Sequence, residues 1–252
     1  MIDLHSHVLP ALDDGAKDLE EALSICRAAV DDGTTVLAGT PHVRFDYPTT
    51  REAMESRLEA VRVAVAANGI PLEVVGGGEI ALDQMPRGVD ELRGFGLAGN
   101  PDYLLVEAPQ FGWPGHLIPA LRVLRRSGIV PVLAHPERNH AVQQAPERVG
   151  EAVEAGALVQ VTAAAVDGRF GRREQSTARA LIRGRRAHLI ASDGHAPSIR
   201  KIGMSAACEA VGDDELAHWL AVGVPGAIVS GAPLPKRPAS PRLPFRRIMH
   251  QG

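Results

Sequence analysis

Cysteine is scarce in this chain. Cys26 and Cys208 lie far apart and neither belongs to a Cys-x-x-Cys pair, which argues against a disulfide framework and against a thiolate zinc knuckle. Long apolar runs are missing as well. No stretch approaches the roughly 18 consecutive apolar residues of a membrane-spanning helix, and Met1 runs straight into Ile2-Asp3-Leu4-His5 with no room for a signal peptide. A cytoplasmic protein without membrane insertion is expected. Nor does one sign of charge dominate: 27 Lys plus Arg stand against 30 Asp plus Glu, so the formal charge of −3 offers no electrostatic reason to expect a nucleic-acid partner. The C-terminal end differs in composition and has no acidic residue. From Ala232 to Gly252 the chain is proline-rich, carries Lys236, Arg237, Arg242, Arg246 and Arg247, and reads as a loose, solvated tail or an arm for an acidic partner.

What is present is an ordinary globular composition, 45% hydrophobic in 252 residues, and a regular alternation of short apolar runs with amphipathic stretches. Strands are predicted at Met1 to His5, Thr34 to Gly39, Leu72 to Gly76, Tyr103 to Glu107, Ile129 to Ala134, Ala157 to Val161 and His188 to Ala191. Helices are predicted at Leu19 to Asp32, at Arg51 to Ala67 and near 115–127, 146–155 and 173–184. About seven βα units in one domain suggest an α/β fold of the TIM-like barrel kind.

Histidines and acids gather where these strands end. His5 and His7 form a His-x-His pair whose side chains share one side of a strand, because side chains alternate with period two. His42 follows the second strand, Glu79 the third, Glu107 ends the fourth, His135 follows the fifth, and Asp193 with His195 follows the last. In a parallel barrel all these ends meet on one face. Histidine with carboxylate is a donor set for zinc, manganese or iron, in the manner of an open catalytic site. His116, His140, His188, His218 and His250 lie outside these motifs and are read as surface or core residues.

The opening Met1-Ile2-Asp3-Leu4-His5-Ser6-His7-Val8-Leu9-Pro10, followed by Asp13-Asp14-Gly15-Ala16-Lys17-Asp18, resembles the start of the PHP (polymerase and histidinol phosphatase) superfamily, in particular its bacterial manganese-type tyrosine-phosphatase branch. Thr40-Pro41-His42, Val106-Glu107-Ala108-Pro109, His135-Pro136-Glu137-Arg138-Asn139 and Ala191-Ser192-Asp193-Gly194-His195 agree in order and approximate spacing. The resemblance covers about residues 1–205. It implies a distorted barrel over residues 1–231, with 232–252 as the tail, and two or three divalent ions, manganese first and iron or zinc compatible. The protein would be a phosphatase acting on a phosphotyrosine protein, a tyrosine autokinase of capsule or exopolysaccharide export. His5, His7, Glu79 and Asp193 would hold one ion; Glu107 and His135 would complete a second with a bridging glutamate; Asp14, His42 and His195 would serve a third. Asp13 competes with Asp14, and only the family pattern selects the latter; Asp3 is read as structural. Arg138 and Arg200 are the expected phosphate clamps, since a planar guanidinium can grip two phosphate oxygens.

Other phosphatase chemistries lack their residues. Cys26 begins Cys-Arg-Ala-Ala-Val-Asp and Cys208 begins Cys-Glu-Ala-Val-Gly-Asp, so neither makes a thiolate phosphatase loop. Gly76-Gly77-Gly78 lacks the Gly-Lys-Ser/Thr ending of a nucleotide loop and is better read as close backbone packing before Glu79. Two departures from the family bear on substrate: Val43-Arg44-Phe45-Asp46-Tyr47-Pro48 lacks a second histidine after His42, and Ala196-Pro197 follows His195. A small-molecule phosphatase, such as one for histidinol phosphate, and a non-catalytic metal-binding module remain as alternatives.

Overall fold

A computed structural model of the chain describes residues 1–196 and 202–239. Its strands are β1 (Ile2–Ser6), β2 (Val36–Gly39), β3 (His42–Val43), β4 (Glu73–Gly76), β5 (Glu79–Ala81), β6 (Tyr103–Glu107), β7 (Val130–Ala134), β8 (Leu158–Thr162) and β9 (Leu189–Ala191). Pairing is parallel throughout, in the orders β1-β2-β4 and β3-β5-β6-β7-β8-β9. The two sheets are one sheet interrupted. Only Thr40-Pro41 separates β2 from β3 and only Gly77-Gly78 separates β4 from β5; a proline has no N–H to give the ladder. Hydrogen bonds from Thr40 N to Ser6 O (2.8 Å) and Glu79 N to Pro41 O (3.0 Å) carry the pairing across the gaps. At the other edge Asp193 N donates to His5 O and His7 N to Gly194 O, both at 2.8 Å, so β9 returns to β1 and seven staves close the distorted barrel.

The helices form where capping and apolar spacing coincide. Asp18 accepts from Glu21 N to start Leu19–Asp31, which buries Ala22, Ile25, Cys26 and Ala29, an i, i+3, i+4, i+7 stripe. Thr50 does the same for Arg51–Ala67 by accepting from Ala53 N. The glycine run before Glu79 is close-packed, as its sequence suggested: a Cβ on Gly78 would meet Phe95 at 2.9 Å and Val43 at 3.0 Å. Phe95 itself comes from a string of short turns over 82–99 that sequence periodicity did not reveal.

Three further helices, Met204–Val211, Asp214–His218 and Val224–Ser230, were also not anticipated. The expectation of a tail loose from Ala232 onward needs correction. Trp219 Nε1 donates to Pro235 O (3.0 Å), the Arg237 guanidinium lies 4.9 Å from the Trp219 ring, and Arg237 donates to Ala187 O (2.5 Å) and Ile182 O (2.8 Å). The Arg237 guanidinium thus bridges a carbonyl in the last turn of the helix Arg172–Arg183 and one in the turn leading to β9, which holds the segment through 237 against the barrel. Residues 240–252 and Arg200 lie outside the described residues.

Candidate metal centre

The C-terminal ends of the staves bring the expected donors together. His5 lies in β1 and His7 just beyond it, His42 opens β3, Glu79 opens β5, Glu107 ends β6, His135 follows β7, and Asp193 and His195 follow β9. Asp14 reaches the group from the loop after β1, where Gly15 has no room for a side chain because a Cβ would overlap the His7 carbonyl. His135 and Asp193 have φ of 30° and 52°, left-handed backbone in residues that are not glycine. Such strain costs on the order of 1–3 kcal/mol and persists where surrounding structure imposes it.

Four donors converge on one point. Nε2 of His5 and Nε2 of His7 are 3.3 Å apart, and each lies 3.3–3.5 Å from Glu79 Oε2 and Asp193 Oδ1. Around an ion bound at about 2.0–2.2 Å, a tetrahedron of nitrogen and oxygen donors has edges of roughly 3.3–3.6 Å. These five separations fall in the range expected between donors to one ion. Two further groups adjoin it: His135 Nε2 sits 2.7 Å from Glu79 Oε1, and His42 with Glu79 and Glu107 forms a neighbouring set. A third group joins Asp14, His42 and His195 to His7, with Asp14 Oδ1 3.5 Å from His42 Nε2 and 3.3 Å from His195 Nε2. His42 therefore stands between two groups, where its sequence position suggested one.

An orphaned pair reinforces the fit. His42 Nδ1 and Glu79 Oε2 are 2.9 Å apart, yet both are buried and neither makes a hydrogen bond. Buried polar atoms rarely stay unpaired in a finished protein, so both are available to a ligand. The outer nitrogens of three histidines are, by contrast, fully engaged: His5 Nδ1 donates to Gln160 Oε1 (3.1 Å), His7 Nδ1 to Asp13 Oδ2 (2.6 Å) and His195 Nδ1 to the Asp193 carbonyl (2.9 Å). Each bond holds the ring so that Nε2 faces the donor cluster, the orientation a metal-binding histidine needs. Asp13, which also accepts from Gly15 N and His42 N, thus orients His7 while Asp14 faces the cluster. Asp3 accepts from Ser192 N (2.9 Å) and His5 N (3.3 Å), tying β1 to the segment after β9, and burial pushes its carboxyl up to about 6.

The electrostatics reflect crowding of opposite charges. Burial opposes ionisation of Glu79, but the charge on His5, the hydrogen bond from His135 and the close approach of His42 and His5 hold its carboxyl well below the usual range. Burial and the Glu79 carboxylate push Glu107 up to about 7. His135 is lowered by burial and by Arg138; the hydrogen bond from His195 is the main cause that lowers Asp14.

Two arginines flank the donors. Arg138 Nη1 donates to Asp193 Oδ2 at 2.5 Å and its guanidinium lies 5.6 Å from the Phe170 ring; it makes no other hydrogen bond among the described residues. Arg44 was missed as a site residue. Its Nη1 is 3.8 Å from Glu107 Oε2 and its guanidinium 5.0 Å from the Tyr47 ring, whose face stacks toward His42 at 5.8 Å. The signal was the two-residue step from His42, which places both side chains on one side of an extended segment. Gln160 and Glu137 were missed as well. Glu137 is fully buried, accepts from Thr162 N (2.8 Å), and is pushed up to about 7 by burial.

The family model for capsular polysaccharide synthesis, CpsB/CapC, matches residues 1–217. The tyrosine-protein phosphatase YwqE of Bacillus subtilis is 32% identical over 202 residues, covering 77% of each chain. The putative tyrosine-protein phosphatase CapC of Staphylococcus aureus is 32% identical over 197 residues, again covering 77% of each. A solved structure from work on YwqE of Bacillus subtilis and CpsB of Streptococcus pneumoniae, described as unique metal-dependent tyrosine phosphatases, superposes with a TM-score of 0.85 at 27% identity, over 95% of this chain and 99% of that one.

Proposed function

Because this chain belongs to the CpsB/CapC family of capsular polysaccharide synthesis, we propose that it is a metal-dependent phosphomonoester hydrolase that removes phosphate from tyrosine in proteins. The observation that carries the proposal is the convergence of His5, His7, Glu79 and Asp193 at the separations of a single ion's donors. Glu107 and His135 with Glu79, and Asp14, His42 and His195, are assigned to a second and third ion, manganese being the first choice and iron or zinc compatible with the same donors. When bound, such ions supply Lewis-acid stabilisation of the phosphoryl group and let water act as nucleophile near neutral pH.

The protein's own side chains do the rest. Gln160 and Asp13 hold the rings of His5 and His7 with Nε2 toward the donor cluster. Arg138, fixed at one arm by Asp193, has four remaining N–H groups with which to grip and orient the phosphate dianion, and Arg44 offers a second cation at the mouth beside Glu107. A tyrosinate leaving group, with a parent pKa of about 10, departs without a dedicated proton donor, and no general acid is assigned. Arg200 is retained as a further phosphate clamp on the family resemblance. The substrate class proposed is the phosphotyrosine protein of a polysaccharide-export system, a bacterial tyrosine autokinase, met in the cytoplasm.

Turnover of a phosphotyrosine peptide and of histidinol phosphate by manganese-loaded protein tests this reading, with a folded His5→Ala plus His7→Ala variant alongside. Preferential peptide hydrolysis that disappears in the variant is expected. Selective hydrolysis of histidinol phosphate would replace the protein substrate with a small molecule, and no hydrolysis of either would reject the phosphatase assignment.

A further inference from the structure

A surface cleft of about 290 Å3 opens beside Arg138, lined by Gln110, Arg138, His140, Phe170 and Glu174. Gln110 belongs to the loop after β6, Arg138 and His140 to the segment after β7, and Phe170 and Glu174 to the stretch after β8, so the cleft lies at the strand ends that carry the metal donors. Its link to them is direct. Arg138 Nη1 donates to Asp193 Oδ2 at 2.5 Å, and the same guanidinium lies 5.6 Å from the Phe170 ring. One side chain thus serves both the phosphate grip and the cleft.

Hydrogen bonds hold the aromatic walls in place. His140 N donates to Gln110 O (2.9 Å), and Asn139 Nδ2 donates to Pro109 O and to Gly112 O, each at 2.7 Å. They fix the loop that sets the Phe111 ring 4.5 Å from the His140 ring, with Phe111 itself 70% exposed. Phe170 is presented by a turn in which its N donates to Ala164 O (2.9 Å) and Gly171 N to Gly168 O (3.1 Å). Gly168 and Gly171 have φ of 97° and 119°, a backbone that favours glycine. An aromatic edge of Phe170, His140 and Phe111 therefore borders the arginine. On the other side of the donors Tyr47 is already engaged, with His42 at 5.8 Å and the Arg44 guanidinium at 5.0 Å.

We propose, as a consequence that holds only with the phosphatase assignment, that this cleft is the aryl subsite: it receives the phenyl ring of the phosphotyrosine whose phosphate Arg138 grips, and so favours aryl over alkyl phosphates. The cleft is large enough, since roughly 150 Å3 of apolar cavity suffices for benzene. Aromatic rings attract one another at centroid separations of about 4.5–7 Å. A ring joined through one ester oxygen to a phosphate on Arg138 comes within that reach of Phe170, whereas a serine or threonine ester brings no ring to stack. The Glu174 carboxylate in the lining disfavours a second anion there and leaves the space to the ring.

Titration calorimetry of the manganese-loaded full chain with phenylphosphonate and methylphosphonate, neither of which can be hydrolysed at its P–C bond by phosphomonoester chemistry, tests the subsite. Wild-type protein is expected to bind the phenyl ligand on the order of tenfold more tightly than the methyl ligand. Phe170→Ala should lose most of that preference, and Phe170→Tyr should keep it. Phe111→Ala, at an exposed side chain, should reduce it about two- to threefold with an unchanged melting curve, and it decides the matter if Phe170→Ala melts well below wild type. Equal affinity of the wild-type protein for both ligands would overturn the aryl subsite while leaving the phosphate site intact. A Phe170→Ala protein that melts normally and loses affinity for both ligands in the same proportion would also overturn it, because Phe170 would then only steady Arg138. Binding of neither phosphonate would reject the phosphate site itself, and the subsite with it.

Discussion

Gln160 is the residue on which the orientation of two histidines depends. It lies in the middle of β8, fully buried, and its Oε1 accepts from His5 Nδ1 at 3.1 Å and from the backbone N of His135 at 3.2 Å. Gln160→Leu keeps the volume and removes the acceptor, leaving two buried donors without a partner. Each orphaned donor costs about 1–3 kcal/mol, and removing the glutamine's own Nε2, which has no hydrogen-bond partner among the described residues, returns a similar amount. The net expectation is a loss of about 1–3 kcal/mol of stability. The larger effect is on the ion. With its Nδ1 bond gone, His5 can rotate or exchange tautomers, and loss of an orienting partner of this kind lowers metal affinity or activity roughly 10–100-fold. Manganese titration calorimetry, with kcat/KM on a phosphotyrosine peptide, reads this directly. Gln160→Glu retains acceptor oxygens and should recover most of the affinity. Native affinity in a Gln160→Leu protein that is destabilised by the expected amount would refute the orienting role and leave Gln160 a packing residue.

Arg138→Lys keeps the positive charge beside Asp193 but loses the planar fork, so kcat/KM on the peptide should fall about 10–100-fold with manganese content unchanged; equal activity would remove Arg138 from phosphate binding. Gly78→Ala places a methyl group 2.9 Å from Phe95 and 3.0 Å from Val43, and thermal melting should show a loss of about 1–3 kcal/mol. An unchanged melting temperature would contradict the close packing that sets Glu79. His188 is neutral in the fold, accepting from Val159 N at 3.2 Å, and burial and Arg237 bring its pKa down to about 4. The unfolded chain, with a histidine near 6.5, takes up this proton first. Stability present above about pH 6.5 is therefore lost as the pH falls toward 4, and denaturant titrations should show a smaller loss in that window for His188→Gln; parallel pH profiles would contradict the assignment.

Much of the donor set could be read from one regularity, that ligand-type side chains follow parallel strands at the end where barrel sites form. The His5-Ser6-His7 alternation and the positions of His42, Glu107, His135 and Asp193 after apolar runs carried that reading. Adjacency could not separate Asp13 from Asp14. The fold does, because Asp13 turns back to His7 Nδ1 and Asp14 faces His42 and His195. Gln160 was invisible in Leu158-Val159-Gln160-Val161-Thr162, where a polar residue at an alternate position reads as a solvent-facing side chain; here both faces of the strand are buried. The helix Val224–Ser230 escaped because glycine and proline in Val222-Gly223-Val224-Pro225-Gly226 obscure a helical period. Packing of the proline-rich segment depends on Trp219 and on carbonyls of residues 182 and 187, contacts too distant in sequence for a local pattern to disclose.

The central claim is that side chains from several staves of one barrel hold divalent ions at a single face. Anomalous scattering from crystals grown with manganese tests it most directly. The account predicts a peak within coordination distance of His5, His7, Glu79 and Asp193 together, lost in an Asp193→Asn crystal. A manganese-loaded protein whose peaks lie away from these four residues, or persist unchanged in that variant, would contradict it.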